Sequence, residues 1–401
     1  MLKVLFLSQD LPYTFDNRIK RETATLRDAG ALVSVISPMG KGERWHEEVN
    51  GIQVYRYKVP TLGEGFGGHL GEYAASFSSM AALAALVYRR HGFHAIHAAN
   101  PPDLMWTVAA PYKPLGVKFV FDHHDLVPEL FEWRFGKDHP GLVPVVKAME
   151  KATFKLADHV ISTNETYKRV AIERGGKRAD EVTVVRNGPR RSDFPETAPD
   201  PTIRAMGRVM VGYLGNMNPQ DGVDLFLEIA RILRNDRGRK DIGFVMVGTG
   251  DSFESLGALR DQYGLTDAVA MTGRVPWPQV LAALSATDLC VQPDPPGGLN
   301  DHSTMNKLME YMALGKAAVA YDLHETRVSG GDAALYAPGG SAEALADAVQ
   351  TLADHPARRE AMGRAGYERV WGTLAWNHQQ RALLSVYERL FPGQLDPSRL
   401  G

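Results

Sequence analysis

The stretch 292–316 contains residue types that suit the binding of an anion and of sugar hydroxyls. Lys307 and Glu310 are three positions apart, so on a helix they occupy neighbouring positions of one face. A lysine ammonium donates to phosphate oxygens, and a carboxylate accepts from the two hydroxyls of a vicinal diol. The pair therefore suits a ligand with both phosphate and sugar. An ordinary capped core helix with a solvated Glu310 explains the same letters equally well at this point.

The elements around this pair are a strand, a loop and a helix. An apolar run, 289–291, stops at prolines and glycines, which predicts the end of a buried strand. Ser303 or Thr304 is placed to cap a helix with apolar residues at helical spacing, and Gly315 is placed to close it. Such a helix start favours a phosphate, because its first N–H groups are unpaired and carry the positive end of the dipole.

A second polar group follows an apolar run in the first half of the chain. His123 and His124 stand between Asp122 and Asp125. The pair of histidines could bind a metal, or either could be an interior residue. We favour the second interpretation, since adjacent residues at a strand end point to opposite sides.

Size and composition limit the classes of protein that are possible. A chain of 401 residues suits two domains, and 44% hydrophobic with 23% charged residues is typical of a globular α/β protein. A net charge of -2 argues against general nucleic-acid binding. Cys290 is the single cysteine, which fits a reducing cytosol. The longest apolar stretch, 80–88, is shorter than the ~20 residues that span a bilayer, so we expect a cytoplasmic protein, soluble or peripheral at the membrane.

Short apolar runs alternate with helical patterns along the whole chain, which predicts two doubly wound parallel sheets. A helix is predicted over 17–29, an edge strand over 52–58 and a glycine-rich loop over 61–73. Further strands are predicted at 2–7, 31–37, 95–98, 117–122, 159–163, 182–186, 209–214, 243–247, 268–272, 289–291, 317–321 and 334–337.

The predicted domains are residues 1–190 and 206–375, with a proline-rich linker over 191–205. Residues 376–401 form the last segment, with a helical pattern over 376–390, and we expect this C-terminal helix to pack back toward the first domain. Two such domains would face each other across a cleft, with the ligand at the carboxyl ends of the strands.

These features together resemble the retaining glycosyltransferases of the two-Rossmann (GT-B) type, family GT4. The resemblance covers nearly the whole length and depends on the order of its motifs, none of which is specific alone. The motifs are Asp16-Asn17-Arg18, FDHHDLVPE at 121–129, Asn187-Gly188, GYLG at 212–215, VGTG at 247–250, TGRV at 272–275, and Lys307 and Glu310 with YMALGK at 311–316.

The resemblance implies roles for individual residues. Glu310 would hold the donor ribose, and His124 would contact the donor sugar near the reacting centre. Further donor contacts would come from Gly215, Asn216, Gly248, Arg274, Asn300, Ser303, Thr304 and Lys307, and the acceptor side would include Asp16, Arg18 and Glu129. A surface position explains Arg18 equally well.

The chain departs from the family pattern at two places. His302, with Asp301 beside it, stands where the family has its first acidic residue, and we count both with His124 and Glu310 as catalytic candidates. Asn216 and Asp221 stand where a basic pair is usual. We expect Asp221 to cap the following helix, and the diphosphate charge to be balanced by Lys307, Arg274 and the helix dipole.

By resemblance the chain is a hexosyltransferase that moves a sugar from a nucleotide-diphosphate sugar to a hydroxyl, with no metal or other cofactor, in polysaccharide or glycolipid assembly. A sugar-nucleotide epimerase and a nucleotide-sugar-binding protein without turnover are the alternatives. The acceptor would be a saccharide or a lipid-linked sugar. Lys147, Lys151 and Lys155 recur beside Val146, Met149 and Leu156, which suits contact with an anionic membrane, although a plain solvated face is more common.

Overall fold

The computed structural model describes residues 1–61 and 66–400. The chain divides into two compact units. The first comprises Met1–Asn187 and Asn377–Gly401, and the second is Gly188–Trp376.

An eight-stranded sheet forms the centre of the first unit within the described residues, in the order β3-β4-β2-β1-β5-β6-β7-β8. Neighbouring strands are parallel except β3 and β4. The strands are β1 Lys3–Leu7, β2 Leu32–Pro38, β3 His46–Val49, β4 Ile52–Tyr57, β5 Ala95–Ala99, β6 Lys118–His123, β7 His159–Ser162 and β8 Val182–Val184. The helices are α1 Asn17–Asp28, α2 Phe66–His91, α3 Trp106–Ala109, α4 Val127–Phe135, α5 Val143–Leu156 and α6 Glu165–Glu173.

Two predictions for this unit are wrong. Strand 52–58 is not at the edge, because the short antiparallel strand β3 pairs with its outer side. Helix α2 begins at Phe66, inside the stretch 61–73 that the glycines predicted as a loop, and residues 62–65 of that stretch lie outside the described residues.

The second unit contains a parallel sheet whose six described strands run in the order β11-β10-β9-β12-β13-β14. The strands are β9 Val209–Leu214, β10 Ile242–Val247, β11 Val269–Met271, β12 Leu289–Gln292, β13 Ala317–Tyr321 and β14 Ala334–Ala337. The helices are α7 Pro201–Arg204, α8 Val223–Arg231, α9 Phe253–Gln262, α10 Trp277–Ser285, α11 Asn306–Ala313, α12 His324–Gly330, α13 Ala342–Asp354 and α14 Pro356–Arg369. Apolar side chains cover both faces of the sheet. The prediction of two doubly wound parallel domains is confirmed.

The proline-rich stretch 191–205 packs within the second unit. Phe194 and Trp277 meet edge to face with ring centroids 5.4 Å apart. The Arg191 guanidinium lies 4.8 Å from the centre of the Trp371 ring, within the range of a cation–π contact. This stretch is therefore attached to its own unit by side chains, although its sequence has no periodic pattern.

The last helix, α15, runs from Trp376 to Leu390. Its Tyr387 side chain is buried and bonds to the ring of His97 on β5, with 2.8 Å between the hydroxyl oxygen and Nδ1. Asp396, beyond the helix, donates its backbone N–H to the carbonyl of Ala29. Residues 377–401 thus complete the first unit.

None of the helices that the structure describes combines the length and apolar character needed to cross a bilayer.

Candidate functional site

In the second unit the strand order reverses between β9 and β12, so the loops after these strands lie side by side at the carboxyl edge of the sheet. Asn300 links them. Its buried amide Nδ2 donates to the carbonyl of Gln220 after β9, at 3.1 Å, and to that of Pro295 after β12, at 3.0 Å. Asn300 therefore connects the two loops by hydrogen bonds.

Glycines bring a third loop against the first. A Cβ added to Gly248, after β10, would lie 2.0 Å from the carbonyl oxygen of Gly215, after β9. Both glycines have φ values in the positive region, +131° and +150°. The Gly248 N–H in turn donates to Gly273, next to the exposed Arg274. Three strand-end loops therefore meet in a small space that a side chain would fill.

Lys307 is the buried cation of this crevice. Its Nζ donates to both carboxylate oxygens of Asp294, at 2.8 and 3.1 Å, and lies 3.7 Å from Asp221. Burial alone would lower the pKa of the ammonium, but Asp294, Tyr213 and Asp221 raise it above its ordinary value. Lys307 is therefore charged at neutral pH.

Asp221 does not cap helix α8, contrary to prediction. The helix begins after Gly222, which makes no side-chain cap, and the Asp221 carboxylate instead accepts from the backbone N–H of Asn218 at 3.1 Å. Burial raises the pKa of Asp221, and Lys307 opposes this. The carboxylate thus lies beside the one ammonium expected to balance a diphosphate.

The predicted start of the donor helix is also wrong. Helix α11 begins at Asn306, and its cap residue is Met305, whose side chain makes no capping hydrogen bond. Ser303 donates its hydroxyl to the carbonyl of Leu299, and Thr304 donates to the carboxylate of Glu325. Propensity placed the cap at the first hydroxyl residues, whereas the loop uses both hydroxyls for its own bonds. The helix ends at Ala313, followed by Gly315 with φ +66°, as predicted.

The other donor-side candidates lie on the same loops. Asp301 accepts from the backbone N–H of Gly297 at 3.0 Å, so its carboxylate shapes the loop. His302 and Glu310 are half-buried, while Asn216 is exposed. The Asn216 carbonyl accepts the hydroxyl of Tyr213. The structure brings these candidates to one end of one sheet, and their contacts with a donor stay predictions.

The sequence analysis assigned no role to Asp294 and named Tyr311 only as part of the motif 311–316. Asp294 lies two residues after the end of β12, a position where ligand-site residues are expected, but the prolines on both sides of it indicate an ordinary loop. Tyr311 is fully buried, and its hydroxyl both accepts from the Leu214 N–H at 2.9 Å and donates to the Val291 carbonyl at 3.2 Å. It joins α11 to the ends of β9 and β12.

In the first unit a buried charged cluster lies at the carboxyl end of β6. Arg18 of α1 donates to both oxygens of Asp122, at 2.6 and 2.7 Å, and lies 3.2 Å from Glu22. All three side chains are almost fully buried. The pKa of Asp122 is lowered by Arg18 although burial opposes this, and the pKa of Glu22 is raised by burial and by Asp122. Arg18 thus holds this cluster together with a buried guanidinium, and its acceptor contact stays a prediction.

The two neighbouring histidines differ in surroundings, in agreement with the strand geometry. His123 is buried against Phe154 and Tyr167, with ring centroids 4.9 and 5.4 Å away. His124 keeps 20% of its side chain exposed, with Nδ1 3.4 Å from Asp122. Only His124 is therefore accessible to a ligand.

The remaining acceptor-side candidates already have intramolecular partners. Asp16 caps α1 by accepting from the Ile19 N–H at 2.9 Å. Glu129 pairs with Arg174, which also bonds to Glu150. Their acceptor contacts stay predictions.

One group of metal-ligand type occurs among the described residues. Ligand atoms of Glu22, His97 and Asp122 lie within 4.8 Å of one another, and all three residues are buried. The Arg18 guanidinium already bonds to Asp122 and contacts Glu22. A positive group therefore occupies the place that a metal would need.

Comparison with known proteins gives matches in both units. The family model described as glycosyl transferases group 1 matches residues 208–355, and that of a glycosyl transferase 4-like domain matches residues 16–188. The 2-deoxystreptamine glucosyltransferase of Streptomyces kanamyceticus is 28% identical over 62% of this chain and 64% of its own length. The D-inositol 3-phosphate glycosyltransferase of Kineococcus radiotolerans is 26% identical over 60% and 59%. The alignments thus span less than two thirds of either relative.

Solved structures match over nearly the whole chain. Sucrose-phosphate synthase from Thermosynechococcus elongatus has a TM-score of 0.79 at 18% identity, covering 98% of this chain and 99% of that one. The Anabaena protein HepE in complex with UDP-glucose has a TM-score of 0.70 at 17% identity, covering 97% and 100%. At such identities the likeness shows the fold.

Proposed function

Because the chain belongs to the group 1 glycosyltransferases, the GT4 type with the GT-B fold, we propose that it transfers a sugar from a nucleotide-diphosphate sugar to a hydroxyl acceptor. The observation that carries the proposal is the crevice of the second unit. There, two glycine turns, a buried ammonium and the uncapped start of α11 meet at the carboxyl ends of β9, β10 and β12. Backbone can approach a diphosphate closely at such a place.

We propose that Lys307 binds a phosphate oxygen while Asp294 holds it in place. An ammonium has three hydrogens, and the two oxygens of Asp294 accept two of them. The third hydrogen has Asp221 as its neighbouring acceptor, 3.7 Å from Nζ, and a phosphate oxygen would compete with that carboxylate for it. The missing Cβ of Gly215 leaves space beside the lysine side chain for such a ligand. The two carboxylates of Asp221 and Asp294 carry more charge than the ammonium of Lys307. In this proposal the remaining positive charge comes from Arg274 and from the dipole of α11.

Glu310 lies one helical turn from Lys307 and is proposed to accept from the ribose hydroxyls of the donor. The transfer proceeds with retention of the anomeric configuration in this proposal. The bond from the anomeric carbon to the diphosphate oxygen breaks, and the acceptor oxygen bonds to that carbon on the same face. The departing phosphate oxygen takes the hydroxyl proton, so no protein base is required, and because attack and departure occur on one face no protein nucleophile is required either. Preorganised donors at the diphosphate would stabilise its growing charge.

A thermal-shift screen over nucleotide diphospho-sugars tests the donor site. A ligand that binds only the folded state raises the melting temperature. At a ligand concentration a hundred times Kd, the free energy of unfolding increases by about 2.7 kcal/mol. We expect one base and sugar to stabilise the wild type, and Glu310→Ala to weaken that donor at least tenfold. Glu360→Ala, at an exposed helix position, is the matched control and should bind normally.

Two results would contradict the proposal: no stabilisation by any donor of the panel, or equal binding by Glu310→Ala and the wild type. Release of nucleotide only when an acceptor hydroxyl is present would separate transfer from epimerisation, which needs no acceptor.

We propose that this transfer needs no metal ion. The described cluster with suitable ligand spacing already holds Arg18, and the crevice carries its own ammonium. EDTA is therefore expected to leave the transfer rate within twofold of its untreated value. A rate that falls more than tenfold in EDTA and returns with Mg²⁺ would refute metal independence.

We further propose that the acceptor is a saccharide or a sugar on a lipid, and that the first unit contacts an anionic membrane. The basic face, defined by exposed residues of α4, of the turn after it and of α5, comprises Arg134, Lys137, Lys147, Lys151 and Lys155 together with the exposed Trp133 and Val145. Val146, Met149 and Leu156, the predicted apolar row, are half-buried. Basic residues around an exposed tryptophan suit the headgroup region of a bilayer.

A further inference from the structure

His124 is fixed at two points. Its backbone N–H donates to the side-chain oxygen of Asn100 at 2.9 Å, and its ring Nδ1 lies 3.4 Å from Oδ2 of Asp122. Asn100 is itself buried, and its Nδ2 donates to Asp103 and to the carbonyl of Asp125. The main chain and the ring of His124 are thus held by separate side chains.

Asp122 cannot rotate away from this contact. Its two oxygens accept from Nε and from a terminal nitrogen of Arg18, a bidentate pair that fixes the plane of the carboxylate. Arg18 also donates to the carbonyl of Val185 at 3.1 Å, so the guanidinium is anchored from its far side. The carboxylate has no exposed surface. Its geometry is therefore set before any ligand arrives.

We propose that Asp122 is a positioning residue for His124: the Asp122 carboxylate accepts a hydrogen bond from Nδ1–H of His124, and Nε2–H of the same ring is then the donor presented to the substrate. The atom that meets Nε2 must then be an acceptor, such as a sugar hydroxyl oxygen or a phosphate oxygen. This inference rests on the proposed function, in which His124 contacts the donor sugar. It adds the residue that orients the ring and the chemical type of its contact.

Charged groups from several elements surround the ring. Asp122 faces Nδ1, and Asp125 lies 4.0 Å from Nε2. Four more charged groups lie close enough to interact electrostatically with this cluster: Arg18 and Glu22 of α1, Asp16 that caps α1, and Asp10 after β1. Burial lowers the pKa of His124, but Asp122 and Asp125 outweigh burial and Arg18, raising it to about 9. An imidazolium has hydrogens on both nitrogens, as the proposal requires.

The other histidine near Asp122 is in a different state. His97 is buried and its Nδ1 bonds to Tyr387 of α15, while its Nε2 lies 3.3 Å from Glu22. Burial lowers the pKa of His97 although Asp122 opposes this. His123 packs among aromatic rings, and burial lowers its pKa to about 3. The cluster therefore distinguishes one cationic histidine from two neutral ones.

NMR titration of the imidazole nitrogens in the ligand-free, full-length protein tests the inference. His124 signals are assigned with His124→Gln. We expect both nitrogens of His124 to be protonated at pH 7, with a midpoint near 9. A midpoint at or below 6.5, or a neutral ring with its hydrogen on Nε2, would overturn the proposal even if transfer is active.

Asp122→Asn is expected to lower the midpoint by more than one pH unit and to shift the alkaline limit of transfer by the same amount. Asp125→Asn is the control, since it removes a carboxylate near the same ring without touching Nδ1. A shift in Asp125→Asn as large as that in Asp122→Asn would contradict the assignment. If Asp122→Asn does not fold, the wild-type titration still decides. Because that titration needs no substrate, failure of the inference and failure of transfer are observed separately.

Discussion

His123 and His124 are adjacent in the chain and have opposite chemical character. His124 faces carboxylates, whereas both ring nitrogens of His123 are buried and have no hydrogen-bond partner among the described residues. The nearest carboxylate to His123, Glu150, is 3.9 Å away. Burial and Arg174 lower the pKa of His123 to about 3. His123 is therefore neutral in the folded state across the usual pH range.

This neutrality makes the folded protein sensitive to acid. The unfolded pKa is about 6.5, so stability from this residue is present above pH 6.5 and falls by about 1.4 kcal/mol per pH unit as the pH drops toward 3. Replacing His123 with Phe, a similar ring, should remove about 2 kcal/mol of the stability difference between pH 7.5 and pH 5. Urea unfolding at both pH values measures this. The exposed His324→Phe is the control, and an unchanged pH difference in His123→Phe would refute the explanation.

Residue types were predictable from the sequence, but their partners were not. Lys307 and Glu310 were identified because their spacing and the strand end before them are local features. The Arg18–Asp122 pair joins residues 104 positions apart, and Lys307 approaches Asp221 across 86 positions. Nothing local distinguishes an arginine directed into a charged cluster from one directed at a ligand. The position of these candidates at the end of one sheet was therefore predictable, while the bonds among them required the fold.

Loops after β9 and β10 depend on glycine for two different reasons, the backbone angle and the space. Gly248 has φ +131° and meets the Gly215 carbonyl, so a side chain there is both strained and obstructed. Gly264, in the turn after α9, has φ +68° with nothing within 4 Å of its Cβ position. Comparing the two positions therefore separates the free-energy cost of a positive φ angle from that of a steric clash with a neighbouring loop.

Gly264→Ala should lower the free energy of unfolding by about 1 kcal/mol, the usual cost of this backbone region for a residue with a Cβ, and should leave donor binding unchanged. Gly248→Ala should cost more than this and weaken donor binding at least tenfold, since the two loops must separate. Urea unfolding and donor titration of both variants give the comparison. Equal effects on donor affinity would show that the close contact of the loops is not needed.

Elements with long apolar patterns were predicted within one or two residues, including α15 and the strands that sheet neighbours bury on both faces. Strand β3, with the sequence HEEV, was not predicted because its four residues are mostly polar and show no alternation of apolar and polar side chains. The start of α11 was placed too early because Ser303 and Thr304 are good caps by type. Their hydroxyls bond within the loop instead, a choice set by tertiary contacts.

Charge is distributed unevenly over the whole molecule. The net charge is only -2, yet the basic face of α4 and α5 gathers five cations with Glu132 and Asp138 as its exposed acids. Two further acids of these helices, Glu129 of α4 and Glu150 of α5, are paired with Arg174. A weakly anionic protein can therefore present a cationic surface to a membrane.

Vesicle sedimentation tests this surface. We expect binding to vesicles of mixed phosphatidylcholine and phosphatidylglycerol at low salt, with little binding to phosphatidylcholine alone. Changing Lys147, Lys151 and Lys155 to Gln should weaken binding at least tenfold, since each basic residue near an anionic surface contributes about 1 kcal/mol. The matched control changes the exposed Lys240, Arg358 and Arg364 of the second unit to Gln. Equal loss in both triple variants would exclude a specific basic face.

The return of residues 377–401 to the first unit has a consequence for biosynthesis. The second unit is an insertion in the first, so a ribosome delivers residues 188–376 before the helix that carries Tyr387. Domains generally fold as units during synthesis. All strands of the inserted unit are synthesised before Tyr387, so His97 acquires its hydroxyl partner only after residues 188–376 have been made. The second unit should thus complete its folding before the first, although the first unit begins earlier in the chain.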